Sequence, residues 1–178
     1  MEVRFNPMLR NKGGQQDLDK IIFSALVGMK RACMEYPVKA GLILMMDRRF
    51  SKEKNDIIAS KAAKFASEGV VGFDIAGPLT PTFAVRDLED AVETVRKAGV
   101  KVTIHTGEVT PAAEMWEVVR LLAPDRIGHG IRCIDDPKLM AYLREHHIVL
   151  EVCPTSNIQT SAVKTWDEMK SVLQTLKD

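Results

Sequence analysis

The chain has 178 residues, 46% hydrophobic and 28% charged, and its 25 Lys and Arg against 24 Asp and Glu leave a formal net charge of +1. So even a balance is that of a soluble globular protein: it gives no basic footprint for nucleic acid and no apolar run of the roughly 18 residues a membrane span needs. Cys33, Cys133 and Cys153 are odd in number, widely spaced and free of any C-x-x-C pair, which points to free thiols in a reducing cytoplasm.

In chain order, "MEVRFNP" reads at once as a strand rather than as a signal peptide. Ile21, Ile22, Ala25, Leu26, Met29 and Ala32 then share one helical face, followed by the β-rich run "AGLILMM" at 40–46. A broader helical face follows in Ile57, Ala59, Ala62, Ala63, Phe65 and Ala66, closed by Gly69 before "VVGFDIAG" at 70–77. Leu88, Ala91, Val92 and Val95 form the next stripe, closed by Gly99 before "KVTIHTGE" at 101–108. Met115, Val118, Val119 and Leu122 lead to "RIGHG" at 126–130. Asp135 and Asp136 before Pro137 then mark a capped helix start, ahead of "IVLEVCP" at 148–154.

Strand and helix alternating about every 25 to 35 residues predict βαβ units and a parallel sheet. No linker or composition shift interrupts them, so residues 1–178 are expected to form one domain. In an open sheet the ligand site gathers at one switch point, whereas in a barrel several strands send reactive residues to one mouth. Here the strand ends are polar in succession: Arg4 and Asn6, Asp47, Asp74, His105 and Glu108, His129, Glu151 and then "PTSN". That favours an α/β fold of the (β/α)8 barrel type, incomplete at about six βα units, because a full barrel takes at least about 200 residues.

Side chains alternate along a strand, so with Val102 and Ile104 toward the helices, Lys101, Thr103 and His105 face inward with His105 uppermost. An imidazole there suits a metal ligand, a base, or a histidine satisfied by strand-end hydrogen bonds. Glu108, beyond Gly107, can curl back over the same mouth, or it can sit as an acid near the N-terminus of a helix starting around Pro111. His129 lies between Gly128 and Gly130, which permit close backbone approach and unusual dihedral angles; it also reads as a turn histidine.

The series "EVRFNP", "GFDIAG", "HTGE", "RIGHG" and "LEVCPTSN" resembles the adenosine deaminase family, within the metal-dependent amidohydrolase superfamily of (β/α)8 barrels. The resemblance implies zinc-dependent hydrolytic deamination of adenosine or a related aminopurine nucleoside, with one Zn2+ in the complete enzyme. By family likeness His105 corresponds to a zinc ligand, Glu108 to the proton donor facing purine N1, and His129 to the histidine that orients and deprotonates the zinc-bound water. Gly77 resembles the glycine whose backbone N–H meets purine N3, and Asp74 an acid one layer behind the metal ligands. The order of motifs corresponds to the second to seventh barrel strands.

The departures carry equal weight. The family's H-x-H pair and its T-D-D segment are both missing, and the Asp-Asp of "CIDDPK" reads as a helix cap. A zinc site needs about three protein ligands plus water, and one is in view, so this polypeptide is expected to bind zinc weakly and catalyse little. The alternatives are a non-catalytic barrel fragment or assembly module, and a chain that self-associates through open barrel edges. A phosphate-binding α/β enzyme is poorer for want of G-x-G-x-x-G or a Walker loop, and the cytidine-deaminase zinc signature is missing. "GFDIAGPLT" places Pro78 and Leu79 where many relatives have acids, which leaves adenosine, other aminopurine nucleosides and adenine as substrates. His146 and His147 read as solvent-facing, Trp116 and Trp166 as packed on helices, Cys153 as a buried small residue, and Ser156 and Asn157 as lining the mouth or shaping a turn.

Overall fold

The computed structural model describes residues 1–13 and 15–177. The chain divides into two compact units, Met1–Val102 and Thr103–Asp178.

In the first unit, β1 (Glu2–Phe5), β2 (Gly41–Asp47) and β3 (Val70–Ala76) alternate with helices α1 (Gln15–Glu35), α2 (Lys52–Lys64) and α3 (Glu89–Lys97). The strands pair in parallel in sequence order, Phe5 opposite Leu44 and Met45 opposite Asp74, with one irregularity at Leu42/Ile43. Near-continuous burial along β2 and β3 is the pattern of parallel strands covered on both faces. Ile22 and Leu26 on α1, Ala59 and Ala62 on α2, and Val92 and Val95 on α3 are buried as their stripes predict, whereas Leu18 and Ile58, outside those stripes, are buried too and Ala32 is exposed. Helix α2 starts on Ser51, whose hydroxyl accepts from Lys54 N–H, and carries Glu53 in its first turn and Lys61 and Lys64 in its last, each sign matching the helix dipole. Lys61 and Lys64 also hold Asp19 of α1, at 2.8 Å each.

The second unit carries most of β4 (Lys101–Thr106), then α4 (Ala112–Leu122), β5 (Arg126–His129), α5 (Pro137–Glu145), β6 (Val149–Glu151), α6 (Pro154–Gln159) and α7 (Trp166–Lys177). Strands β4, β5 and β6 pair in parallel, with His105 opposite Gly128 and Gly128 opposite Glu151. One apolar cluster gathers Met115 and Val119 of α4, Ile127 of β5, Cys133, and Leu139 and Leu143 of α5. A second gathers Ile131, Ala162, Val163, Met169 and Val172. Burial pushes the Cys133 thiol up to about 11, so it packs as an inert apolar group. Asp136 caps α5 through the N–H groups of Lys138 and Leu139, with Pro137 in the first turn, as "CIDDPK" predicts.

Three expectations change. The run "IVLEVCP" yields only a three-residue strand, because Pro154 opens α6 and turns "PTSN" into helix. Cys153 is exposed rather than buried, since it sits at the entrance to that helix with its thiol directed at the Glu151 carbonyl. Trp166 is 54% exposed at the start of α7, whereas Trp116 is half-buried and donates its indole N–H to Asp136.

Candidate active site

The second unit brings His105, Glu108 and His129 together. The His105 and His129 rings stand edge to face, centroids 5.3 Å apart at 70°. His129 Nε2 lies 3.5 Å from Glu108 Oε2. Neighbouring parallel strands deliver the two imidazoles at their C-terminal ends, and the loop after β4 folds Glu108 back toward them.

That loop is held at several points. Gly107 N–H donates to Thr110 Oγ1 at 2.9 Å, and Thr106 Oγ1 donates to Glu114 Oε1 at 2.8 Å, anchoring the loop to α4. Gly130 N–H donates to the Thr106 carbonyl and Arg132 N–H to the Gly107 carbonyl, at 3.0 and 2.9 Å, so the β4 and β5 ends are laced together beyond the ladder. Gly107 is required twice over: its φ is +67°, and a Cβ there would run into the Met115 side chain.

The two glycines around His129 do different work. A Cβ on Gly128 would lie 2.6 Å from His105 Cγ, so Gly128 is the seat of the neighbouring ring. The unusual backbone belongs to His129 itself, φ +64°, followed by Gly130 at φ +68°. This left-handed step ends β5 and leaves the imidazole against Glu108, Asn157 and His105.

Glu108 has two further partners. Asn157 on α6, fully buried, donates Nδ2–H to Glu108 Oε1 at 3.1 Å, and the same nitrogen lies 2.9 Å from His129 Nδ1. Thr160 Oγ1 lies 2.8 Å from Glu108 Oε1 and 3.0 Å from the Ser156 carbonyl. A hydroxyl carries one hydrogen, so Thr160 donates to one of these oxygens at a time. Neither role was assigned from sequence. The readable signal was Pro154 as a first-turn residue, which makes "PTSNIQT" a helix and puts Asn157 and Thr160 three apart on one side.

Asp74 and Gly77 belong to the first unit. Asp74 is buried at the centre of β3 and pairs with Arg4 Nε at 3.1 Å, a short ion pair that balances an otherwise costly buried carboxylate. Gly77 ends β3 with φ +98°, and a Cβ there would stand 2.7 Å from Asp47 Oδ1. Its carbonyl accepts from Arg48 Nη1 at 3.0 Å. Asp47 in turn accepts from Arg49 N–H and Nε–H, both at 2.9 Å, and from Nη2 at 2.6 Å. The guanidinium beside it holds the Asp47 carboxyl below the usual range.

The sequence profile of the family described as adenosine deaminase matches residues 1–177. The chain belongs to the adenosine deaminase family. An adenosine deaminase from Vibrio vulnificus is 33% identical over 168 residues, covering 94% of this chain and 50% of that protein. An adenine deaminase from Arthrobacter aurescens superposes with TM-score 0.80 at 22% identity, over 96% of this chain and 53% of that one. An amidohydrolase from Burkholderia ambifaria, solved with bound Zn, gives TM-score 0.75 at 28% identity, over 88% of this chain and 43% of the other. The chain thus spans about half the length of the relatives it matches. Its fold is α/β, six β/α units of a (β/α)8-type barrel, as in the adenine deaminase. That family is one of hydrolytic enzymes.

A zinc site takes about three protein ligands. Among the described residues no three His, Cys, Asp or Glu side chains gather to hold a metal ion, so His105 is a lone candidate ligand and the donor set does not amount to a zinc cage. No described helix is long and apolar enough to cross a membrane.

Proposed function

We propose that these residues serve the hydrolytic deamination of adenosine or a related aminopurine nucleoside: water adds at C6 of the ring and ammonia leaves. The observation that carries this is the meeting of Glu108 and His129 at one mouth, with His105 beside them. Glu108 is the proton donor to purine N1, which draws electron density from C6 as the oxygen adds. His129 holds that oxygen on one face of the ring. For Gly77 the family likeness implies a backbone N–H to purine N3 and for Asp74 an acid behind the metal ligands; within the first unit Asp74 is paired with Arg4. If a Zn2+ is bound, His105 is the residue here that would ligate it, and the ion would supply activation of the attacking water.

Beside Glu108, the Thr160 hydroxyl can donate to Oε1 or to the Ser156 carbonyl, one at a time.

Residues 1–178 act in this reading as one partial barrel domain with a small-molecule partner, in the cytoplasm, and open barrel edges provide for self-association that mass in solution would reveal. Ammonia release from adenosine and from adenine, measured with and without added Zn2+, tests the reaction. Activity that falls at least a hundredfold in Glu108→Gln supports the proton-donor role; turnover nearly intact in Glu108→Gln refutes it. A second reading, a non-catalytic assembly module, draws on the finding that no metal-ligand group gathers among the described residues. It wins if no aminopurine is turned over or bound.

A further inference from the structure

We infer that Asn157 is a positioning residue whose single NH2 group donates one hydrogen to Glu108 Oε1 and the other to His129 Nδ1, thereby fixing His129 as the Nε2–H tautomer. Its catalytic meaning rests on the deaminase reading above; the tautomer itself does not.

The geometry leaves little freedom. Asn157 is fully buried, and its backbone is tied at both ends, N–H to the Cys153 carbonyl at 2.9 Å and carbonyl to Val163 N–H at 3.0 Å. The amide nitrogen stands 3.1 Å from Glu108 Oε1 and 2.9 Å from His129 Nδ1, one N–H for each acceptor. An amide nitrogen has no lone pair to offer, so a contact with Nδ1 requires Nδ1 to accept. A neutral imidazole that accepts at Nδ1 carries its hydrogen at Nε2, the atom that faces Glu108 Oε2.

The amide could in principle be turned end for end, since its oxygen and nitrogen are assigned from their neighbours. Turning it would set Asn157 Oδ1 against Glu108 Oε1, acceptor against acceptor, whenever Glu108 is ionised. Glu108 therefore orients the amide, and the amide orients the hydrogen on His129. Toward the mouth, the resting His129 then presents an N–H rather than a lone pair: it steers a bound oxygen by donating to it, and accepts a proton at Nε2 only after the tautomer changes.

The chain has four histidines, so long-range 1H–15N spectra of the histidine-labelled protein resolve every ring, with His129→Gln to assign the signal. At a pH where the His129 ring is neutral, the expected result is one tautomer, Nδ1 bare and Nε2 protonated, in at least tenfold excess. A protonated Nδ1 overturns the inference, and once the signal is assigned the tautomer is read on the unsubstituted protein. Asn157→Leu keeps the volume and removes the donor, and is expected to release the preference, bringing the Nδ1–H form to at least a third of the neutral ring. If the folded variant, checked by its melting curve, keeps Nε2–H, then residue 157 does not set it and the inference falls. Thr160→Val, which touches Glu108 and not the ring, is expected to leave the tautomer unchanged; inversion there would place the control elsewhere and overturn the assignment to Asn157. Absence of ammonia release with the Nε2–H tautomer intact counts against the deaminase reading alone, while activity with Nδ1 protonated counts against this inference alone.

Discussion

Replacing Gly128 by alanine tests whether His105 is seated as the structure has it. Gly128 stands directly opposite His105 in the β4–β5 ladder. A Cβ there would lie 2.6 Å from His105 Cγ and Nδ1 and 2.7 Å from Cδ2. Carbon atoms rest at about 3.5–4.0 Å, so the new methyl overlaps three ring atoms by roughly 1 Å. Rotating the ring gives no escape, because Cγ sits on the rotation axis; the whole imidazole must shift or the strands must part. Overpacking of this kind costs about 1–3 kcal/mol, and the smaller entropy of an unfolded alanine returns about 0.4–1. The net loss of about 1–2 kcal/mol lowers the urea midpoint by roughly 0.5–1 M at a typical slope of about 2 kcal/mol/M. Circular dichroism during urea titration reads that midpoint, and the His105 ring resonance should move with it. A midpoint equal to or above that of the parent, with the ring signal in place, would refute the packing argument.

Three further outcomes follow from the same reasoning. Gly28 lies on the exposed face of α1 with nothing within 4 Å of a built Cβ, so Gly28→Ala should stabilise the chain by about 0.5–1 kcal/mol in the same titration, opposite in sign to Gly128→Ala. Buried Asn55 accepts from Asp47 N–H at 3.2 Å and donates to the Asp47 carbonyl at 3.0 Å. Asn55→Leu orphans both backbone groups and should cost about 2–4 kcal/mol by thermal melting; an unchanged melting point would show that they find other partners. The Asp47 carboxyl is held below its ordinary value by Arg49. A depressed folded pKa gives stability that is present above the unfolded value, about 3.9, and is lost as pH falls through the lower folded one. Asp47→Asn should therefore be less stable than the parent at pH 6, with the gap closing below pH 4; a gap that widens in acid would contradict the sign.

Much of this architecture was legible because a parallel α/β chain announces itself by alternation. All six β-runs became strands, and the stripes of Ile22 and Leu26, Val92 and Val95, and Val118 and Val119 became core faces. The end of "LEVCPTSN" was misjudged because extended and helical readings compete over a short apolar run followed by Pro, and the helix won at Pro154. Convergence of His105, Glu108 and His129 was readable, since each ends a strand or opens the loop just after one. The roles of Asn157 and Thr160 were not, because their side chains matter through residues some 28 to 52 positions away. No local pattern encodes such a distance.

Position 129 holds a residue that folding alone would not choose. A side chain at φ +64° sits where glycine is at ease and other residues pay a penalty of about 1–2 kcal/mol. Variants ranked only by heat tolerance would therefore drift toward glycine at this point, becoming sturdier and chemically mute. Any effort to harden this chain by directed evolution needs position 129 held fixed, or it will discard the imidazole first.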